Sequence, residues 1–189
     1  MEKILILISG ISGAGKTTFA NYLSEKWQIP LICKDKFKEI IWDRIKYDTD
    51  EPTNLQKYGG VAYDISFHFC EILMKTGQPL IFESNFVNLS WQFLQPMVTE
   101  YDYKVVNVLF DGDMEAIHKR VLARDVTTKR HPGLVTKGFF DDFDTYKKHG
   151  QGSRDFKYGD VLIHIDTTDF TTICYDSIIE KIKTTIKED

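Results

Sequence analysis

Residues 10–17 read Gly10-Ile11-Ser12-Gly13-Ala14-Gly15-Lys16-Thr17, the pattern G-x-x-x-x-G-K-[ST]. From this composition the pattern arises by chance in roughly one chain in a hundred, and its context narrows the reading further. It directly follows the apolar run Ile4–Ile8 and opens a stretch in which Phe19, Tyr22, Leu23 and Trp27 share one helical face. A strand, a glycine-rich turn and a helix in that order form a phosphate cradle. Glycines let backbone amides turn inward, and the helix N-terminus adds partial positive charge. Lys16 is placed to reach β- and γ-phosphates, and the Thr17 hydroxyl to ligate Mg²⁺. The alternative is a plain glycine-rich turn carrying an exposed lysine.

Four further apolar runs follow: Leu31–Cys33, Leu80–Phe82, Val105–Phe110 and Val161–Ile165. Most are continuously apolar, as strands covered on both faces of a parallel sheet are. Helical spacing appears between them at Ile65, Phe69, Ile72 and Leu73, at Ile117, Val121 and Leu122, and at Ile178, Ile179, Ile182 and Ile186. This alternation predicts an α/β sandwich built from βαβ crossovers. The 189 residues suit one domain. Two connections are longer than a crossover helix needs, Lys34 to Pro79 and Asp111 to Asp160, and excess length of that kind usually carries function. The middle of the second, Lys129 to Gly152, is rich in Gly, Lys and Asp, with aromatic Phe139, Phe140, Phe143 and Tyr146. Phe67 and Phe69 read as core.

Charge and cysteine usage exclude several classes of function. The net charge of -4 argues against a general attraction to nucleic acid or an anionic membrane. No apolar run is long enough to span a bilayer, and Ile4–Ile8 is too short for a signal peptide. Cys33, Cys70 and Cys174 lie far apart without a CxxC, which suits a reducing cytoplasm better than a disulfide framework. The five histidines, His68, His118, His131, His149 and His164, show no metal-ligand spacing. A guanine-reading N-K-x-D is absent, which argues against a GTPase. The apolar strand followed by Asp-Glu of an ABC or AAA+ motor is absent too; Leu80-Ile81-Phe82-Glu83 comes nearest.

The run GISGAGKTT after a short strand resembles the P-loop small-molecule kinases. These include adenylate, shikimate and gluconate kinases, chloramphenicol phosphotransferase, zeta toxins and the kinase module of polynucleotide kinase. The resemblance implies a three-layer sandwich on a five-stranded parallel sheet of order 2-3-1-4-5. It implies an acceptor-binding helical insertion, residues 36–78, and a lid, residues 125–150, within one domain over 1–189. It implies ATP and Mg²⁺ as cofactors, with Gly10, Ser12, Gly13, Ala14, Gly15, Lys16, Thr17 and Thr18 around the nucleotide.

Other residues take roles in that light. Asp35 opens the connection after the second strand, where kinases of this group carry an acidic general base, often as D-x-x-R; here Lys38 replaces the arginine. A carboxylate at a strand's C-terminal end can accept the acceptor's proton. Lys34, Lys36 and Lys38 would keep it ionised. The other reading is a solvated Asp, or an N-cap, at a lysine-rich helix start. Glu83 and Asn85 end the third strand and face the same crevice, with Glu83 the next candidate for the base; capping of the next helix is their alternative role. Lys36, Lys38, Arg44 and Tyr58 are acceptor-contact candidates within the insertion.

Only five arginines stand against 19 lysines, and Arg120, Arg124 and Arg130 cluster. Arg120-x-x-x-Arg124 looks like the adenylate-kinase pattern, the first packing on adenine and the second touching phosphate. Arg130-His131-Pro132-Gly133 looks like a lid start. A planar guanidinium suits transition-state charge, although a solvated helix face paired with Glu115 and Asp125 has the same spacing. Thr167, after the last strand, is the candidate adenine contact. The expected activity is ATP- and Mg²⁺-dependent phosphoryl transfer to a hydroxyl or phosphate of a small molecule. The alternative is a nucleotide-binding ATPase or switch that regulates a protein partner.

Overall fold

The computed structural model describes residues 2–127, 130–135 and 140–187; Lys129 and Phe139 of the expected lid lie outside them. Five parallel strands, β1 (Ile4–Gly10), β2 (Leu31–Cys33), β3 (Leu80–Glu83), β4 (Lys104–Asp111) and β5 (Val161–Asp166), form one sheet of order β2-β3-β1-β4-β5. This is the expected order. Each strand starts and ends within two residues of its apolar run. All seven residues of β1 are buried, because β1 is central and helices cover both faces. Only Ile163 and Ile165 are buried on edge strand β5, so it alternates.

The helices are α1 (Lys16–Trp27), α2 (Lys34–Ile45), α3 (Pro52–Lys75), α4 (Asn88–Tyr101), α5 (Met114–Asp125), α6 (Phe143–Arg154) and α7 (Tyr175–Lys187). Successive β1 side chains enter opposite cores. Ile4, Ile6 and Ile8 meet Phe19 and Leu23 of α1, Val121 of α5 and Ile179 of α7. Leu5 and Leu7 meet Cys70 and Met74 of α3 and Leu94 of α4. Burying each such aliphatic or aromatic side chain is worth about 1.5–3 kcal/mol. The sheet therefore anchors every element that reaches the site.

The inward face of α3 differs from the periodic one. Ala62, Ser66, Cys70 and Met74 are buried, while Phe69 and Ile72 are exposed. Phe69 instead stacks on Phe37 of α2, with ring centroids 5.6 Å apart. Two apolar stripes run along this helix, and the tighter, smaller one fits the sheet. Phe67 is half-buried against the same core.

The register brings the strand ends together. Ile8 pairs with Glu83, Glu83 with Cys33, and Asp111 with Asp166. Pro132–Leu134 forms a short 3-10 turn that docks on α2, and Tyr47, just past the end of that helix, donates its Oη to the Gly133 carbonyl at 3.3 Å. The three cysteines are unpaired. Among the described residues no helix is long and apolar enough to cross a membrane, and no group of three or more His, Cys, Asp or Glu can hold a metal ion by itself.

Candidate active site

β1 ends at Gly10 with φ 126°, where a Cβ would lie 1.9 Å from the Phe110 carbonyl oxygen. Glycine is required there so that β1 can run beside β4 up to the loop. Gly10 and Ala14 are buried beneath the loop, outside the cleft lining; Ser12, Gly13, Gly15, Lys16, Thr17 and Thr18 line a cleft of about 370 Å³. Gly15, the N-cap of α1, has φ 92° and no side-chain cap, so the first-turn amides await an outside acceptor.

Lys16 is 5% exposed, and its Nζ donates to the Ile11 carbonyl at 2.7 Å. It makes no ion pair among the described residues. Burial pushes its pKa down to about 8, against the pull of Glu83 and Asp35. This desolvated ammonium still has donors to give, which is the state that an incoming phosphate relieves.

Arginines and a phenylalanine form the outer wall. Arg120 Nη2 donates to the Thr167 carbonyl at 2.7 Å, and Nη1 to the Thr168 carbonyl at 3.1 Å. Its guanidinium carbon lies 5.6 Å from the centre of the Phe170 ring. Thr167 itself is fully buried, with its hydroxyl donated to the Asp111 carbonyl at 2.9 Å. Thr167 thus holds Arg120 in place, and Phe170 is the residue of this loop that lines the cleft. Nothing in the linear pattern distinguished Phe170 from a helix-packing aromatic. Arg124 also lines the cleft, with Nε on Asp125 at 2.8 Å and Nη2 3.5 Å from Ser12 Oγ.

Asp35 sits in the first turn of α2, and the N-cap is Cys33, so the capping role does not apply. Its carboxylate meets Lys34 Nζ at 3.0 Å. Burial would raise its pKa, but Lys34, Lys38 and Arg130 outweigh this and hold it well below the usual carboxylate range. The Lys36 ammonium turns instead to Glu39 at 2.8 Å. Glu83 is 4% exposed and accepts the Cys33 thiol at 2.9 Å. Burial raises its pKa, although Lys16 opposes this. The helix after β3 is capped through Val87 and Ser90, so Glu83 and Asn85 are free of that duty.

A second cavity of about 470 Å³ lies behind Asp35, lined by Lys34 and Lys38 of α2, by α3, by Arg130 and by His149 of α6. Asp35, Asn85, Arg130 and Ser12 line both cavities. Arg44 lines neither; it sits exposed in the last turn of α2. Tyr58 stacks on Tyr47 with centroids 4.2 Å apart. Tyr146 of α6 is an unforeseen support: its hydroxyl donates to the Ser12 carbonyl at 2.7 Å, and its ring stacks on His118.

The loop conformation yields a direct expectation. A Cβ at Gly15 would stand 2.2 Å from the Phe170 ring, at a φ that L-residues rarely adopt. Gly15→Ala is expected to cost about 1–3 kcal/mol in backbone strain alone and to weaken ATP binding. Urea unfolding and nucleotide titration check the two effects, and wild-type values in both would contradict this geometry.

Comparison with known proteins extends this picture. The sequence matches no curated protein. A solved structure of a protein from Chloroflexus aurantiacus with a provisional kinase designation is similar over 100% of this chain and 98% of its own, with a TM-score of 0.83 and 24% identity. The shikimate kinase of Aquifex aeolicus is similar over 97% and 96%, with a TM-score of 0.57 and 16% identity. A gluconokinase of Sinorhizobium meliloti is similar over 94% and 88%, with a TM-score of 0.54 and 13% identity. At these identities the likeness is one of fold, the P-loop kinase fold. The profile of the family described as AAA domain matches residues 5–144, from β1 through the phosphate loop, both carboxylates and the three arginines. Because that match spans well over half of the sequence, the chain belongs to the AAA domain family.

Proposed function

We propose that the protein transfers the γ-phosphoryl group of ATP, with Mg²⁺, to a hydroxyl or phosphate of a small-molecule acceptor. The observation that carries this is the wall shared by the two cavities, where Asp35 and Arg130 face both the loop cleft and the space behind it. Residues 36–78 then supply the acceptor walls, and residues 125–150 the cover.

The loop amides and Lys16 hold the β- and γ-phosphates. Thr17, an exposed residue, and Glu83 line the same cleft, and their hydroxyl and carboxylate are oxygen donors of the kind that would suit a magnesium ion carried by the triphosphate. When bound, magnesium held by Thr17 and Glu83 would supply neutralisation of the phosphate charge. Arg120 and Phe170 offer faces for the base. Asp35 orients the acceptor hydroxyl and takes its proton as the new P–O bond forms and the bond to the ADP oxygen breaks. Its low basicity suits a loose transition state, in which the proton leaves late and orientation matters more. Its place on both cavities supports Asp35 over Glu83, which lines the nucleotide side alone.

The test is an acceptor screen read by ADP release, followed by Asp35→Asn on the acceptor found. The variant keeps size and hydrogen bonding, so ATP binding should stay near normal while kcat falls by roughly 10²–10⁴. Wild-type turnover would eliminate Asp35 as the base. Slow hydrolysis insensitive to every metabolite, but altered by a protein, would favour the switch reading.

A further inference from the structure

Helix α6 meets the ends of β1 and β4 along one stripe of its surface, residues 146, 150 and 154. Tyr146 Oη donates to the Ser12 carbonyl at 2.7 Å. One turn on, Gly150 presents no side chain, and a Cβ there would stand 3.2 Å from Ile11 Cγ2. A further turn on, Arg154 Nε meets the Asp111 carboxylate, at the end of β4, at 2.9 Å. Spacing by four residues keeps all three on one helical face. Tyr146 is 1% exposed and lines neither cavity, so its bond is made behind the phosphate loop.

That bond acts on a part of the loop that cannot fix itself. Gly13 has φ 86°, and glycine adopts either sign of φ with similar ease. The loop's own residues therefore leave the Ser12–Gly13 peptide plane free to turn. In a planar trans peptide the carbonyl and the next N–H point in opposite directions. Drawing the Ser12 carbonyl toward α6 thus aims the Gly13 N–H away from α6, to the side where Ser12 and Gly13 line the cleft. The next carbonyl, of Gly13, is met by Arg120 Nε at 3.5 Å, too long to hold a plane firmly. Burial pushes the Tyr146 phenol well above its ordinary pKa, against Arg120 and Arg124, so it remains a donor.

We propose that Tyr146 is a positioning residue for phosphate binding, which holds the Ser12 carbonyl behind the loop and so presents the Gly13 amide to the nucleotide's phosphates. The proposal rests on the nucleotide reading of the loop and is independent of any acceptor. Without the phenol, the Ser12 carbonyl loses its buried partner and can turn into the cleft. Its negative end would then stand where the amide stood, and an attraction for phosphate would become a repulsion. The lid-side helix α6 is in this way part of the nucleotide site, although none of its atoms touches the nucleotide through Tyr146.

Tyr146→Phe isolates the hydroxyl. The ring keeps its stacking on His118 and its edge contact with Phe140, so the variant should fold. Calorimetric titration with ADP and Mg²⁺ should show a Kd raised roughly three- to tenfold, the range of one hydrogen bond. ¹H–¹⁵N NMR at saturating ADP reads the Gly13 amide directly. Its resonance should move strongly in the wild type and much less in the variant, a signature that loss of packing alone would not produce. An unchanged Kd in folded Tyr146→Phe would overturn the proposal. So would a raised Kd with the Gly13 amide displaced as in the wild type, which would leave Tyr146 a packing role only. Failure of the wild type to bind ADP would overturn the nucleotide reading itself.

Discussion

Lys16→Ala is expected to abolish most of the thermal stabilisation that ATP with Mg²⁺ gives the wild-type protein. A ligand that binds only the native state at a hundred times its Kd stabilises it by about 2.7 kcal/mol. For a chain of this size that is a melting shift of roughly 5–10 °C. The apo variant should remain folded, because the ammonium it loses is desolvated and, among the described residues, holds the Ile11 carbonyl alone. The pH dependence follows from the same burial. Lys16 releases its proton near pH 8 in the fold, whereas the ordinary value is 10.5. Between those values the unfolded chain binds more protons than the native one, so apo stability rises with pH relative to Lys16→Ala. The ATP-induced shift should fall as the ammonium is lost, at a pH displaced upward because bound phosphate favours the charged form. Differential scanning fluorimetry of both proteins from pH 7 to 10 reads both trends. An undiminished ATP shift in the variant would remove Lys16 from phosphate binding.

Arg130→Ala should lower kcat far more than it raises KM for ATP. Arginines that meet transition-state charge on a phosphoryl group are worth roughly 10³–10⁵ in rate, which is the ceiling here. Arg130 is better placed than Arg124 for this role. It lines both cavities and has an unsatisfied Nε, whereas Arg124 Nε is engaged by Asp125 at 2.8 Å. Arg124→Ala should therefore have the smaller effect. Stability separates function from structure. Burial and the neighbouring Arg124 both lower the Arg130 pKa, so its removal relieves crowded positive charge. Unfolding free energy should hold or rise while turnover collapses, the trade expected where a site stores unfavourable charge. Arg130→Lys should rescue little, since a point charge replaces a planar fork. A variant that loses stability but keeps kcat would return Arg130 to an ion-pair role with Asp125.

Some of this was legible residue by residue. The apolar runs marked the inner strands because a parallel strand buried on both faces has no polar alternation to confuse it; edge strand β5 kept enough apolar residues to be marked although its burial alternates. The glycine and lysine spacing marked the phosphate loop because the loop is local: its dihedrals and its exit into α1 lie within eight residues. Helix α4 left no comparable mark. Pro96 lies inside it and reads as a breaker, but the proline is on the exposed side, where water can satisfy the freed carbonyl. The face of α3 was misjudged because Phe69 and Ile72 are as apolar as a core residue, and only the presence of α2 decides that Phe69 packs outside the sheet.

The sequence by itself determined the sheet, the phosphate loop and the presence of acidic and basic residues at the right strand ends. Each of these depends on neighbours within a few residues or on simple periodicity. Tertiary structure alone decided which of those residues share a wall. It buried Thr167 behind Arg120 and left Phe170 lining the cleft, kept Arg44 in solvent, turned Lys36 toward Glu39, and set Arg130 and Lys38 around Asp35. The reason is distance along the chain. Arg130 and Asp35 are separated by two strands and four helices, β3 and β4 with α2 to α5, and Coulomb interactions depend on separation in space, which only the order of the sheet and the docking of the 132–134 turn on α2 supply.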